Sequence, residues 1–196
     1  MWSKDFLLRV KEYLRLTAGI LDADDKLLEQ FIDSTEVQLE KWSGRLLKAQ
    51  KQTRVYDYPE DTPYRLLLDG DLQKVIKLGN GDGTRIPASD IRYVPANRGR
   101  GNDRQPAYEI VLVGDSVFTY DTTPIQCIHV QGWWGWSMEP NAYTEQAVKR
   151  LTAFLYKQKD SQVFDTTAFL DGGVLVIPQG IPKYVADFIN FHRPLR

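Results

Sequence analysis

The chain has 196 residues, enough for one domain of ordinary size or for a helical core with a β-rich part inserted into it. Hydrophobic residues make up 42% of the chain and charged residues 26%, proportions that exclude a wholly disordered protein. The formal net charge of -1 excludes the overall positive field that nucleic-acid-binding proteins usually carry. Any contact with DNA must therefore be local.

The single cysteine and the two histidines limit disulfide and metal chemistry. Cys127 has no second cysteine for an intramolecular disulfide, which is typical of a reducing compartment. A zinc site would have to combine Cys127, His129 and His192 with a carboxylate. We predict instead that Cys127 is a small hydrophobe in a buried strand over residues 125–130. We predict neither a metal nor a cofactor.

The hydropathy of the chain predicts no membrane segment. No apolar run approaches the roughly 18 to 20 residues that span a bilayer. The N-terminus carries Lys4, Asp5 and Arg9 in place of the apolar core of a signal peptide. We therefore expect the protein to be made in the cytoplasm and kept there, or assembled from there.

Two helices are predicted before the β-rich region. Over residues 4–16, charged residues alternate with an apolar stripe at helical spacing, formed by Phe6, Leu7, Val10, Tyr13 and Leu14. The acidic stretch at residues 22–25 can cap a second helix. The apolar seam of that helix is formed by Leu28, Ile32, Thr35, Leu39, Trp42 and Leu46. Gly44 is expected to end or fray it.

Residues 52–135 consist of short runs of β-branched and aromatic side chains separated by prolines and glycines, which predicts a β-rich region. The predicted strands are residues 53–58, 64–68, 73–78, 91–94, 108–113 and 125–131. Asn80 and Gly81 are expected to supply the positive φ angles of a tight hairpin turn. Residues 115–123 are predicted to form another connection.

A helical period returns after Pro140 and predicts a third helix that ends near Asp160. An apolar, strand-like run then spans residues 174–177. Pro182 can open a terminal helix with an apolar face.

The whole pattern predicts an α+β protein with an α-helical core of about four helices and a β-rich insertion between the second and third helices. The predicted parts are a helical segment over residues 1–50, the insertion over 51–136, the third helix over 137–160 and a C-terminal arm with a short helix over 161–196.

Two sequence motifs each allow two interpretations. Residues 79–84 resemble a phosphate or calcium loop, but they lack the Lys-Ser/Thr ending of the former and the spaced carboxylates of the latter. A hairpin turn is therefore favoured. Trp133, Trp134 and Trp136 could form a stacking platform for sugars or bases. We favour a hinge between the last strand and the third helix, with two indoles in the core and one at an interface.

The loop that contains Arg98, Arg100 and Arg104 is a local basic feature of the chain. A mobile, solvated loop is the simpler interpretation. Contact with nucleic-acid phosphates is the more specific functional interpretation. For catalysis, the sequence has no Gly-x-Ser-x-Gly motif, no histidine-rich cluster and no marked carboxylate pair. We predict that the protein is not an enzyme.

Four segments, taken in order, resemble one family of proteins. Residues 24–45 (DDKLLEQFIDSTEVQLEKWSGR) resemble the second helix of the head-tail connector (adaptor, or head completion) proteins of tailed bacteriophages and gene transfer agents. The other three segments are LLLDGDLQKVIKLGNGDGTRI (66–86), IHVQGWWGW (128–136) and YTEQAVKRLTAFLYKQKD (143–160). They resemble the family's strand and hairpin, its closing strand and its following helix. Residues 95–106 and 174–177 depart from the family pattern.

The resemblance implies a structural virion protein without catalytic residues or a cofactor. Such a subunit forms a ring under the portal, twelvefold when on the portal, and is a platform for the next neck protein. The implied partners are copies of itself, the portal protein and a downstream neck or tail-completion protein, with weak contact to packaged DNA and no membrane. The implied location is the head-tail junction of the virion, and the host cytoplasm during assembly.

We predict that the C-terminal arm carries the interface with the portal or a neighbouring subunit. The predicted interface residues are Val174, Leu175, Val176, Ile177, Phe188, Ile189, Phe191, Arg193 and Arg196. Arg98, Arg100 and Arg104 are predicted to face the DNA channel. The alternative function is a small carbohydrate- or nucleic-acid-binding module that uses the tryptophan motif and the arginine loop. An unrecognised hydrolase is the third hypothesis.

Overall fold

The computed structural model describes residues 2, 4–16, 22–101, 104–158, 169–170, 173–174 and 180–192. The helices within these residues are α1 Lys4–Leu14, α2 Asp22–Ser43, α3 Ala142–Gln158 and α4 Lys183–His192. The strands are β1 Gln50–Tyr56, β2 Arg65–Gly79, β3 Ile91–Val94, β4 Ala107–Leu112, β5 Ile128–Trp134, β6 Phe169–Leu170 and β7 Gly173–Val174. The predicted α+β class is confirmed.

The chain forms two compact units, and we name each by its main elements. The helical unit comprises Met1–Gly44 and Ala142–Arg196, and the sheet unit comprises Arg45–Asn141. The five strands of the sheet unit thus lie between α2 and α3 in chain order.

Each helix of the helical unit buries one stripe of side chains, as amphipathic helices do. The buried apolar residues of this unit are Phe6, Leu7, Val10, Leu28, Ile32, Leu39, Ala147, Val148, Leu151, Ala153, Tyr156, Val185, Phe188 and Ile189. Thr35 of α2 and Thr152 of α3 are buried too, and their hydroxyls form a hydrogen bond of 3.3 Å. This polar pair inside an apolar core favours one register of the two helices.

The predicted seam of α2 is correct as far as Leu39 and wrong beyond it. The helix ends at Ser43, where Gly44 has a φ of 69° and donates its N–H to the carbonyl of Glu40 at 2.8 Å. Glycine favours this left-handed conformation at the end of a helix. Trp42 is 37% exposed, and Leu46 lies past the helix end.

The sheet unit is built on an antiparallel sheet with the strand order β1-β5-β2-β4-β3. One side of this sheet is covered by an apolar core whose buried residues are Leu66, Leu72, Leu78, Ile86, Ile91, Ala107, Ile110, Leu112, Phe118, Cys127, Ile128, Val130 and Trp134. Cys127 is buried there as a small hydrophobe, as predicted, and burial raises the pKa of its thiol.

β2 is one strand where the sequence predicted two. Its first half pairs with β4 and its second half with β5, and the register shifts between Leu67 and Leu72. The Asp69-Gly70-Asp71 sequence looked like a break because these residues are poor strand formers. In the structure they lie in this irregular stretch of β2, where such residues are accommodated.

The predicted turn at Asn80 and Gly81 has a different backbone. Neither residue has a positive φ, and Gly83 has one of 82°. The turn is closed by the N–H of Asn80, which donates to the carbonyl of Thr84 at 2.8 Å. Gly81 is required for space, because a Cβ there would lie 2.7 Å from the Cβ of Cys127.

β5 begins later than predicted, at Ile128 instead of Ile125. Gln126 has a φ of 51°, which interrupts extended backbone, and Ile125 is 64% exposed. The connection over residues 115–123 forms as predicted, with an isolated bridge at Tyr120.

The structure describes part of the segment after α3. β6 and β7 pair antiparallel, with Phe169 opposite Val174. The rest of the predicted apolar run, Leu175, Val176 and Ile177, lies outside the described residues. α4 follows Pro182 as predicted. Among the described residues, no helix is both long and apolar enough to cross a membrane.

Candidate functional site

The tryptophan motif joins the beginning and the end of the sheet unit. Trp136 donates its N–H to the carbonyl of Leu46 at 2.7 Å, and Ala49 donates to the carbonyl of Ser137 at 2.8 Å. Gly135, with a φ of 154°, lies so close that a Cβ there would be 2.6 Å from the Ala49 Cα. We call these residues the clamp. The predicted hinge is therefore a fixed connection within the sheet unit.

The three indoles do not form a shared stacking platform. Trp134 is fully buried, and the guanidinium carbon of Arg54 lies 4.3 Å from its ring centroid. Arg45 covers Trp136 in the same way, at 4.9 Å. Trp133 is half-buried and points to the opposite side of β5, because successive strand residues alternate. The structure thus has one core indole where two were expected.

The two arginines that cover the indoles also pair with carboxylates, which sequence reasoning missed. Arg54 contacts Asp69 at 2.9 Å, and Tyr56 donates to the same carboxylate. Burial would raise the pKa of Asp69, but the hydrogen bonds from Tyr56 and Arg54 keep that pKa below its usual value. Arg45 contacts Asp71 at 2.6 Å, and burial raises the pKa of Asp71 against this attraction. Both pairs join residues far apart in sequence.

Arg98, predicted to contact DNA, is buried in the sheet unit at 6% exposure. Its Nη2 donates to the carbonyls of Leu72 at 2.7 Å and Gln73 at 3.1 Å, and its Nε donates to that of Gln105 at 2.8 Å. The guanidinium lies over the ring of Tyr93, and burial lowers its pKa. This arginine anchors the base of its loop, so its guanidinium cannot reach a phosphate in this structure.

Arg100 and Arg104, the other two predicted DNA contacts, are exposed. The carbonyl of Arg104 accepts a hydrogen bond of 3.1 Å from the side chain of Gln73, which is buried. The loop that carries both arginines is therefore attached to β2. Residues 102 and 103 lie outside the described part of the chain.

The predicted interface residues of α4 separate into two groups. Phe188 and Ile189 are buried in the helical unit, so they are core residues in this structure. Phe191 is 66% exposed on the same helix. Arg193 and Arg196 lie outside the described residues.

Other large apolar side chains are also exposed, and the sequence pattern did not distinguish them from core residues. In the helical unit they are Leu8, Tyr13, Val37, Trp42 and Ile181. In the sheet unit they are Val55, Tyr64, Leu67, Tyr108, Val117, Tyr120 and Ile125. Such side chains are candidates for contacts with other proteins. No group of three or more His, Cys, Asp or Glu residues that could hold a metal occurs in the part of the chain that the structure describes.

The fold is that of proteins in the neck of gene transfer agent (GTA) particles. The chain aligns over 97% of its length with 89% of a chain in the neck of an empty GTA particle computed with C6 symmetry, at a TM-score of 0.57 and 18% identity. It aligns over 97% of its length with 89% of a chain in the virion of a native GTA particle, at a TM-score of 0.55 and 18% identity.

A third similar chain comes from the neck of a native GTA particle computed with C12 symmetry. The alignment covers all of this chain and 94% of that one, at a TM-score of 0.51 and 16% identity. No protein-family model and no curated protein sequence matches the chain. The resemblance to connector proteins that the sequence predicted is confirmed at the level of the fold.

Proposed function

We propose that this protein is a head-tail connector (adaptor) subunit, which forms a ring under the portal and links the head of a phage-like particle to its tail. The observation that carries this proposal is the alignment of nearly the whole chain with GTA neck structures. In this role the protein acts without catalysis and without a cofactor. It is assembled from the host cytoplasm and is located at the head-tail junction of the virion.

The proposed assembly is a twelvefold ring on the portal. One of the similar necks was computed with C12 symmetry and another with C6 symmetry, and both symmetries are compatible with twelve copies. A ring places each copy between two neighbours, the portal and a downstream neck protein, so one chain needs several contact surfaces. The exposed apolar side chains on both units support this requirement.

Within the chain, we propose that the sheet unit is an insertion in a helical core, and that the C-terminal segment contacts the portal or a neighbouring subunit. Phe191 is the described residue that best suits an anchor, since it is an exposed aromatic side chain on a helix fixed by buried neighbours. The proposed interface also includes residues 174–177, with Arg193 and Arg196 at its rim. Arg100 and Arg104 are proposed to make weak contact with packaged DNA.

The proposal is tested by mixing the purified protein with its cognate portal rings and following both by sedimentation and electron microscopy. We expect the protein to sediment with the portal and to decorate one end of the ring. Portal rings of an unrelated phage are the control and should remain bare. Absence of association at every salt concentration would contradict the proposal, and saturable sugar binding by a persistent monomer would favour the alternative module.

A further inference from the structure

The strand register identifies the residues on the solvent side of the β1-β5-β2 part of the sheet. Along β5, Ile128, Val130 and Trp134 are buried, so His129, Gln131 and Trp133 point to the other side. Directly paired residues of neighbouring strands share a side of the sheet. The residues paired with these three are Val55, Thr53 and Lys51 of β1 and Gly79, Lys77 and Lys74 of β2. We call this surface the outer face.

Four cations are collected on the outer face. Lys51 and Lys74 lie on either side of Trp133, and Lys77 lies beside Gln131. Arg85 joins them, because it is bridged to Gly79 at the end of β2. All four side chains are exposed, and no acidic residue occupies a paired position on this face.

Within the described residues, the outer-face cations have no carboxylate partner, whereas four other cations of the sheet unit do. Ion pairs in that unit join Arg45 to Asp71, Lys48 to Glu139, Arg54 to Asp69 and Arg65 to Glu109. None of the four outer-face cations takes part in an ion pair within the part of the chain that the structure describes. A chain with a net charge of -1 thus concentrates uncompensated positive charge on one flat surface.

The acidic residue nearest in sequence to Arg85 is Asp82, and its carboxylate is already engaged. It accepts hydrogen bonds from the hydroxyl of Thr84 at 2.6 Å and from that of Thr119 at 2.7 Å. An open groove of about 550 Å³ runs along the face, lined among others by Lys77, Arg85 and His129. The groove is therefore bordered by cations and neutral hydrogen-bonding groups.

We propose that the outer face binds the phosphate backbone of double-stranded DNA without reading its sequence. Lys51 and Lys74 lie two strand spacings apart, and Lys74 and Lys77 lie three residues apart, which places each pair of Cα atoms at about 10 Å. Flexible lysine side chains at that spacing can reach phosphates on both sides of a groove, whose widths in duplex DNA are about 6 and 12 Å. Lysine and arginine side chains on this face suit phosphates, which carry no sequence information, so base readout is not expected.

A duplex suits this face better than a single strand. Single-strand binding relies on aromatic rings whose faces are open to bases. Trp133 is half-buried and lies between the paired positions of Lys51 and Lys74, so its ring is not an open platform for a base. The inference goes beyond the proposed neck role, since a protein that forms no ring can still carry this face.

The test measures binding of the full-length protein to a fluorescent duplex of about 30 base pairs by anisotropy. We expect a dissociation constant of about 1 to 100 µM and a slope of log affinity against log salt of about -3.6, as for four phosphate contacts. The test variant carries Lys51→Ser, Lys74→Ser, Lys77→Ser and Arg85→Ser. It should bind at least about tenfold more weakly at low salt and lose most of the slope.

The matched control removes the same charge from the helical unit, by Lys26→Ser, Lys41→Ser, Lys157→Ser and Lys183→Ser. These lysines are exposed, so both variants should keep their thermal unfolding transitions. The proposal is overturned if both variants lose affinity equally, or if the outer-face variant binds as the wild type does. Binding to a single strand more than about tenfold tighter than to the duplex would also overturn it, in favour of stacking on Trp133. The assay needs no portal, so it is independent of ring assembly.

Discussion

At the scale of single residues, Arg98 shows how one buried cation holds a surface loop. Three backbone carbonyls accept hydrogen bonds from its planar guanidinium, which lies over the ring of Tyr93. A lysine cannot reproduce this fork or this stacking. We expect Arg98→Lys to lower the free energy of unfolding by about 1 to 3 kcal/mol in urea denaturation. Arg100→Lys, on an exposed side chain of the same loop, should change it by less than about 0.5 kcal/mol.

Asp82 makes the stability of the folded protein depend on pH in the acidic range. Hydrogen bonds from Thr84 and Thr119 hold the pKa of Asp82 below its usual value of 3.8. Because the folded pKa is below the unfolded one, this carboxylate stabilises the fold above about pH 3.8, and the stabilisation is lost as the pH falls through the folded pKa.

We therefore expect Tm to fall below about pH 4, and to fall less steeply in Asp82→Asn, because this variant lacks the titrating carboxylate. Circular dichroism melts between about pH 6 and pH 2.5 measure this difference. Parallel profiles for the two proteins would show that Asp82 contributes nothing to it.

At the scale of elements, α4 combines a buried face with an exposed aromatic residue. Val185, Phe188, Ile189 and His192 are buried, so deleting the chain from residue 172 onward removes part of the core of the helical unit. Such a truncation is therefore expected to destabilise the helical unit as well as to remove Phe191. Point substitutions separate the two roles of the helix.

Phe188→Ala should destabilise the protein by about 3 to 5 kcal/mol, because it leaves a cavity in the helical core. Phe191→Ala should cost less than about 0.5 kcal/mol, since the side chain is 66% exposed. Urea denaturation of both variants checks this contrast. Equal losses would mean that Phe191 also packs in the core.

Phe191→Ser should weaken association with portal rings by about tenfold or more, if Phe191 is an interface anchor. Lys183→Ser is the matched control, because Lys183 is an exposed polar residue on the same helix. Pull-down on immobilised portal gives the two affinities. A Phe191→Ser protein that binds as tightly as the control would remove Phe191 from the interface.

Local sequence signals predicted most helices and strands correctly. They could not predict contacts between residues that are distant in sequence. Gly44 and Pro182 mark the end of α2 and the beginning of α4 through backbone preferences that act within one turn. The change of partner along β2 depends on which strands flank it, and nothing local encodes that choice. Arg98 looked like a solvated residue because the carbonyls of Leu72 and Gln73 are far away in sequence.

The outer face illustrates the same limit for the candidate site. Nothing in the sequence around Lys51 or Lys74 distinguishes them from other surface lysines. Only the pairing of β1 and β2 with β5 brings them to the two sides of Trp133. Sequence reasoning found the arginine loop instead, since its basic residues are neighbours along the chain.

At the scale of the whole molecule, weak contacts between copies become effective on a ring-shaped template. We expect the isolated protein to sediment as a monomer at micromolar concentration and to assemble when portal rings are added, because each bound copy raises the effective concentration for its neighbours. Analytical ultracentrifugation with and without portal measures this change. Stable twelvefold rings of the protein alone would show that the template is unnecessary.

The clamp at Leu46, Ala49, Gly135, Trp136 and Ser137 has a consequence for the order of folding. For the helical unit, the sheet unit is an excursion of about 100 residues between α2 and α3. Once the clamp has formed, the same excursion acts as a loop of about 10 residues. This lowers the entropic free-energy cost of bringing α2 and α3 together by about 2 kcal/mol. A sheet unit that has already folded therefore accelerates the pairing of α2 with α3. In stopped-flow refolding, Gly135→Val, which opens the clamp, should delay the helical signal more than it speeds unfolding.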